Sequence, residues 1–249
     1  MTQLSSTRQA EKNGRRSDVA RADNYDWSAI RRALGESGNA VLPKLLDARQ
    51  SKQVSALYPS DELYRTRIVM ARHGFGRGEY KYFRYPLPDL LQSLRSALYP
   101  HLARIANHWN EVLGDRERFP SSHEEYLQRC HRAGQTRPTP LILRYVEGDY
   151  NCLHQDLYGD HVFPLQVAIL LSQPNVDFEG GEFVMTEASS RQQRADVVAL
   201  SQGDAVVFTV NQRPAIGRRG PVKVAMRHGV SRVRSGIRHT VGLIFHDSR

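Results

Sequence analysis

The texture of the chain changes at Pro140, and that change limits the possible folds more than any other feature. Beyond it, short β-type runs alternate with turn residues. We read strands at 141–145, 151–155, 165–171, 182–185, 197–200, 205–208, 222–230 and 238–245, with Gly180-Gly181 and Gly203-Asp204 as turn signals. About eight short strands in roughly 105 residues predict a sandwich or a jelly-roll barrel.

Before Pro140 the period is mixed. Residues 1–24 are polar and Arg-rich, and read as a flexible basic tail. Helices are predicted at 26–36 and 47–58, the second with Asp47 as N-cap, and strands at 40–42, 65–72 and 79–85. The cluster Gly74-Phe-Gly-Arg-Gly78 lies between two strands and lacks a Gly-Lys-Ser/Thr ending, so it reads as a hairpin turn, not a phosphate loop. Pro86-Leu-Pro88 opens a long helix to about Leu113. Its apolar stripe is Leu90, Leu91, Leu94, Leu98, Leu102, Ile105, Trp109 and Val112, and Pro100 should kink it. A further helix at 121–133 begins with a capping box between Ser122 and Glu125. The expected fold class is α+β, one domain over 25–249. Helical support spans about 25–139 and the jelly-roll core about 140–249, with the N-terminal helices on the outer face of the larger sheet.

Composition removes several alternatives. No apolar run approaches the ~20 residues of a membrane span, and the first twelve residues lack a signal-peptide core. Cys130 and Cys152 give no disulfide framework, so a reducing cytoplasm is the expected location. Net charge is +9, and residues 211–249 carry nine Lys/Arg against Asp247 alone. That segment is either a solvated basic face or an electropositive rim for an anionic substrate or nucleic acid. Phe245 is its only aromatic residue, which does not support a single-strand stacking platform there.

Two His-x-acid pairs stand out, His123-Glu124-Glu125 and His154-Gln155-Asp156, where composition alone supplies about one. On a helix, residues i and i+2 point roughly 200° apart, so His123 and Glu125 cannot grip one ion. On an extended segment they share a face, and only His154 and Asp156 sit on strand-like sequence. A distal His228 could complete a two-histidine, one-carboxylate set, which with open positions suits non-haem Fe(II) oxygen chemistry. Of the other late histidines, His161 falls in a loop and could contact substrate. His239 should face away from Arg238, and His246 beside Asp247 reads as a surface pair.

His154, Asp156, His228 and Arg238, ten residues beyond His228, together resemble the Fe(II)/2-oxoglutarate-dependent dioxygenase superfamily, in its prolyl-4-hydroxylase-like branch. Tyr145, nine residues before His154, matches too, as do Gly180-Gly-Glu-Phe183 and Leu200-Ser-Gln-Gly-Asp-Ala-Val-Val-Phe208. The resemblance covers roughly 141–245. It implies a double-stranded β-helix, Fe(II) held by His154, Asp156 and His228, and 2-oxoglutarate as cosubstrate. Arg238 would take the far carboxylate, with Tyr145 and Thr240 as further donors. It also implies O2, ascorbate as an occasional reductant, and coupling of 2-oxoglutarate decarboxylation, to succinate and CO2, with substrate hydroxylation.

The substrate is less legible. A small molecule, amino acid or protein side chain is the first expectation, and no membrane partner is expected. The alternative is an oxidative nucleic-acid demethylase, whose relatives often show Arg-Tyr before His-Gln-Asp, as Arg144-Tyr145 and His154-Gln155-Asp156 do here. Against it, the Arg-x-Asn-x-Thr-x-Arg pattern of those enzymes meets Thr240, Gly242 and Ile244 here, and no aromatic-rich lid is evident. A non-catalytic jelly-roll binding module would have a degraded ligand set. Halogenases of the superfamily generally lack the carboxylate that Asp156 supplies. Substrate gating is expected at 157–164, 186–196 and 211–223, with Arg213, Arg218 and Arg219 meeting an anionic group.

Overall fold

Two facing antiparallel sheets account for the C-terminal half of the computed structural model, which describes residues 21–157, 159–188 and 193–249. In chain order the strands are β1 (Asn39–Leu42), β2 (Tyr64–Val69), β3 (Gly76–Arg77), β4 (Glu79–Phe83), β5 (Leu141–Val146), β6 (Tyr150–His154), β7 (Leu165–Leu170), β8 (Phe178–Gly180), β9 (Phe183–Ala188), β10 (Gln193–Val198), β11 (Ala205–Thr209), β12 (Gln212–Gly217), β13 (Gly220–Val230) and β14 (Val233–Leu243). The larger sheet runs β1-β11-β7-β14-β5-β4-β2, with β8 paired to the start of β14. The smaller runs β10-β9-β13-β6-β3, with β12 on β13. This is the expected double-stranded β-helix.

Strand periodicity divides the larger sheet into two faces. Outward residues Ile142, Val167, Ile169, Val207, Val241 and Leu243 join one apolar cluster with the helices. Inward residues Tyr145, Gln166, Ala168, Phe208, Arg238 and Thr240 line a cavity between the sheets. Strand β7 is therefore buried at all six positions and reads as an unbroken apolar run with one polar residue, Gln166.

The helices are α1 (Trp27–Ser37), α2 (Ala48–Ser55), α3 (Asp89–Val112) and α4 (His123–Arg132). Asp26 caps α1, and Asp47 with Gln50 forms a capping box on α2. Ser122 caps α4 through the Glu125 amide. Helix α3 continues through Pro100 and buries Leu91, Leu94, Leu98, Leu102, Ile105 and Trp109 against the outer face of the sheet. None of the helices among the described residues is long and apolar enough to cross a membrane.

Three features differ from the sequence reading. Strands β8 and β12 had no signal: β8 is three residues long, and β12 carries Pro214, tolerated because β12 pairs only with β13. The expected tail lies outside the described residues up to position 20, but Ala22 is buried and Arg21 donates to the Leu45 carbonyl at 2.7 Å. His246 and Asp247 are buried, not a surface pair. The reason is Arg95 on α3, fully buried, whose Nη2 lies 2.9 Å from Asp247 Oδ1 while its Nε donates to the Ile244 carbonyl. Tyr85 and His131 complete the carboxylate's partners. A buried charge is stable only when so matched.

His123 donates from Nε2 to the Phe245 carbonyl, and burial pushes its pKa down to about 3. Burial and the nearby Arg95 lower that of His246 to about 4. Both folded values lie below the unfolded value, so between about pH 6.5 and 4 the unfolded chain binds protons that the folded chain refuses, and stability falls with pH. At pH 5 the two together should cost on the order of 4 kcal/mol. We expect the thermal midpoint at pH 5 to lie on the order of 10 °C below that at pH 7. His123→Gln should flatten this dependence, and a midpoint unmoved between the two pH values would contradict it.

Candidate active site

β6 ends on His154, and β13 places His228 opposite it in register, so both imidazoles leave adjacent strands together. Their ring centroids are 4.2 Å apart. Two residues past the strand, Asp156 turns its carboxylate between them, Oδ1 3.5 Å from His154 Nε2 and Oδ2 3.5 Å from His228 Nε2. One ligand atom from each residue lies within 4.8 Å of the others, a group that could hold a metal ion. His123 and Glu125, by contrast, separate into core and solvent, as helix geometry required.

The environment is apolar on one side. The His228 ring packs on Phe208 at 4.5 Å and Phe183 at 6.0 Å, and its Nδ1 has no hydrogen-bond partner. His154 Nδ1 lies 2.7 Å from the Cys152 carbonyl. Burial, then the neighbouring His228, lowers the pKa of His154. Burial pushes the Asp156 carboxyl up, but its hydrogen bond to His228, the two imidazoles and the Gln166 amide bring it net below the usual range. The pair of shifts favours neutral imidazole beside ionised carboxylate, the protonation that a divalent ion requires.

From this group a cavity of about 140 Å³ extends between the sheets to Tyr145, Arg238 and Thr240. Arg238 is 2% exposed, donates from Nη1 to Thr240 Oγ1 at 2.6 Å, and leaves Nε unpaired. Its guanidinium carbon lies 5.6 Å from the Tyr145 ring and 5.9 Å from that of Phe178. Burial lowers its pKa to about 10, still cationic at neutral pH, and no acidic side chain among the described residues pairs with it. The Tyr145 hydroxyl is also buried without a hydrogen bond of good geometry. A buried, unpaired cation beside an orphan hydroxyl is costly unless a carboxylate completes it. The donor set therefore fits 2-oxoglutarate, and the triad fits Fe(II).

Two contributions were not legible in the sequence. Gln155, between two candidate ligands, donates from Nε2 to the carbonyls of Asn211 (2.9 Å) and Met226 (2.8 Å), fastening the turn to β13. Phe75 lines the cavity mouth, is 38% exposed as a residue, and stacks at 22° on exposed His73. Its sequence signal is an aromatic between two glycines, which marks a turn without indicating a role at the cavity. Arg213 does not face a substrate. It is buried, bonded to the Gly35 carbonyl and paired with Glu187 at 2.6 Å. His161 lies in the loop that Gln135 ties down, and residues 158 and 189–192 of the expected gating segments lie outside the described residues.

Comparison with known proteins agrees with this geometry. A family model, Oxygenase-NA, described as an oxygenase catalysing oxidative methylation of damaged DNA, matches residues 78–248. Two uncharacterized proteins from two strains of Mycobacterium tuberculosis are each 48% identical over 167 residues, 67% of this chain and 72% of theirs. Among solved structures, a Pseudomonas putida prolyl-4-hydroxylase aligns over 90% of this chain and 99% of its own, at 15% identity and a TM-score of 0.51. A 2OG-Fe(II) family oxidoreductase of Burkholderia pseudomallei covers 90% and 93%, at 18% identity and 0.52. These two likenesses establish the shared fold.

Because Gln155 fixes the spacing between His154 and Asp156, Gln155→Ala should weaken divalent-ion binding by about 10- to 100-fold. Titration of the metal-free chain with Mn(II), read by thermal shift, measures this. Unchanged affinity would reduce Gln155 to a bystander.

Proposed function

The chain belongs to the Oxygenase-NA family and is an Fe(II)- and 2-oxoglutarate-dependent oxygenase, and we propose that its substrate is an alkylated base in DNA. The observation that carries the chemistry is the pairing of ends: a compact two-histidine, one-carboxylate group at one end of the cavity and an unpaired buried cation at the other. In this reading His154, Asp156 and His228 hold the metal. Arg238 takes the distal carboxylate of 2-oxoglutarate as a planar, bidentate partner, with Tyr145 and Thr240 as further donors. Bound Fe(II) and 2-oxoglutarate supply an oxidant from O2, yielding succinate, CO2 and a hydroxylated C–H carbon. Phe183 and Phe208 exclude water from the His228 side of the site. Residues 25–249 work as one domain, with the helical half bracing the barrel.

The DNA reading draws on the family description, the net charge of +9 and the rim of the site. Phe75 and His73 present a flat aromatic pair at the mouth, and Arg72 and Arg77 are exposed on either side of them. Such a pair stacks on any base, and the arginines suit a phosphate backbone. A hydroxylated N-methyl group collapses to the free amine and formaldehyde, so oxidation alone restores the base.

Anaerobic addition of Fe(II) and 2-oxoglutarate should produce a metal-to-ligand charge-transfer band that Asp156→Ala and Arg238→Ala each abolish. On admission of O2, succinate and formaldehyde should form with methylated oligonucleotides and not with peptides or free amino acids. Absence of the band in the unaltered chain would remove the oxygenase assignment, and turnover confined to peptides would replace DNA with a protein side chain. Phe75→Ala should raise the KM for an oligonucleotide about tenfold, the loss of roughly one stacked base. An unchanged KM would detach the aromatic rim from substrate binding.

A further inference from the structure

The two side chains assigned to the carboxylate of 2-oxoglutarate are each backed by a glycine. A Cβ on Gly181 would stand 2.8 Å from Arg238 Cδ, 3.0 Å from Val233 Cγ2 and 3.4 Å from Arg238 Nε. A Cβ on Gly78 would stand 2.8 Å and 3.1 Å from Tyr145 Cδ1 and Cε1. Contacts below 3.0 Å force something to move, and here the nearest atoms belong to the clamp itself. Gly181 does not line the cavity that holds the metal group. It lines a second cavity of about 200 Å³ on the other side of Arg238, together with Gly180, Glu182 and Arg234. The arginine stem is thus a partition between two spaces, and bare backbone is what it leans on.

We propose that Gly181 and Gly78 set how far the clamp stands from the metal group, and thereby select a five-carbon 2-oxo diacid over shorter ones. The inference rests on the assignment of Arg238 and Tyr145 to the cosubstrate. A methyl group at position 181 pushes the Arg238 stem away from the second cavity and toward the first, shortening the distance that the cosubstrate has to span. A four-carbon 2-oxo diacid then loses less than 2-oxoglutarate does. Both glycines hold positive φ, +62° and +117°, so substitution also carries backbone strain, which a control must separate. Gly114 provides it, with φ +71° and nothing within 4 Å of its would-be Cβ.

The test is thermal stabilisation of the Mn(II)-loaded full chain by 2-oxoglutarate, oxaloacetate and 2-oxoadipate, each titrated to half-effect. The unaltered chain should prefer 2-oxoglutarate by at least tenfold over both. In Gly181→Ala that preference over oxaloacetate should fall at least tenfold, with Gly78→Ala moving in the same direction. Gly114→Ala should lower the thermal midpoint and leave the preference intact. A preference retained in Gly181→Ala, or lost equally in Gly114→Ala, overturns the proposal. So does an unaltered chain that binds all three acids alike, a result that needs no variant to fold. No stabilisation of the unaltered chain by any of the three would instead count against the clamp assignment of Arg238 and Tyr145.

Discussion

Strand β14 is the constraint on which the rest depends. It is bonded to β5, β7 and β8, so it cannot shift without breaking three ladders. One face presents Arg238 and Thr240 to the cavity; the other presents Val241 and Leu243 to the helical layer. A slip of one residue would exchange these sets, placing aliphatic side chains in the site and a guanidinium in the core. The apolar face therefore fixes the depth at which the cation stands. Packing energy and site geometry are here the same requirement.

The chain just beyond β14 is secured by polar means. Arg95 reaches from α3 to the Ile244 and His246 carbonyls and to the Asp247 carboxylate, inside an otherwise apolar layer. Gln135, fully buried, accepts from the amides of Asp160 and His161 and donates to the carbonyls of His161 and Asp247. That one amide side chain ties the loop following Asp156 to the end of the last strand. The four helices and Gln135 thus position the site without lining it.

Much of this was legible because β-sheet periodicity is short and strict. The alternation along β14 follows from extended geometry, which separates Arg238 from His239. Asp156, by contrast, lies past the end of β6 and reaches the imidazoles through a turn and not along a strand face. Helix geometry likewise separates His123, which is buried, from Glu125, which is exposed. What stayed hidden was set by partners distant in sequence. Nothing local marks Asp247 as buried, since Arg95 lies on another element. Arg213 looked like a free cation because Glu187 and the Gly35 carbonyl are remote from it. Phe75 acquires meaning only once β3 pairs with β6 at the cavity mouth. The family match also shifts weight toward the nucleic-acid alternative, which the last-strand pattern had disfavoured.

The two imidazoles of the triad are not equivalent. A carbonyl only accepts, so the 2.7 Å contact with Cys152 places the His154 proton on Nδ1 and leaves its Nε2 lone pair facing Asp156. His228 has no such partner at Nδ1, and its Nε2 is the nitrogen that faces the carboxylate. Only the His154 ring is therefore oriented by a backbone carbonyl, whereas the His228 ring is positioned by packing on Phe183 and Phe208.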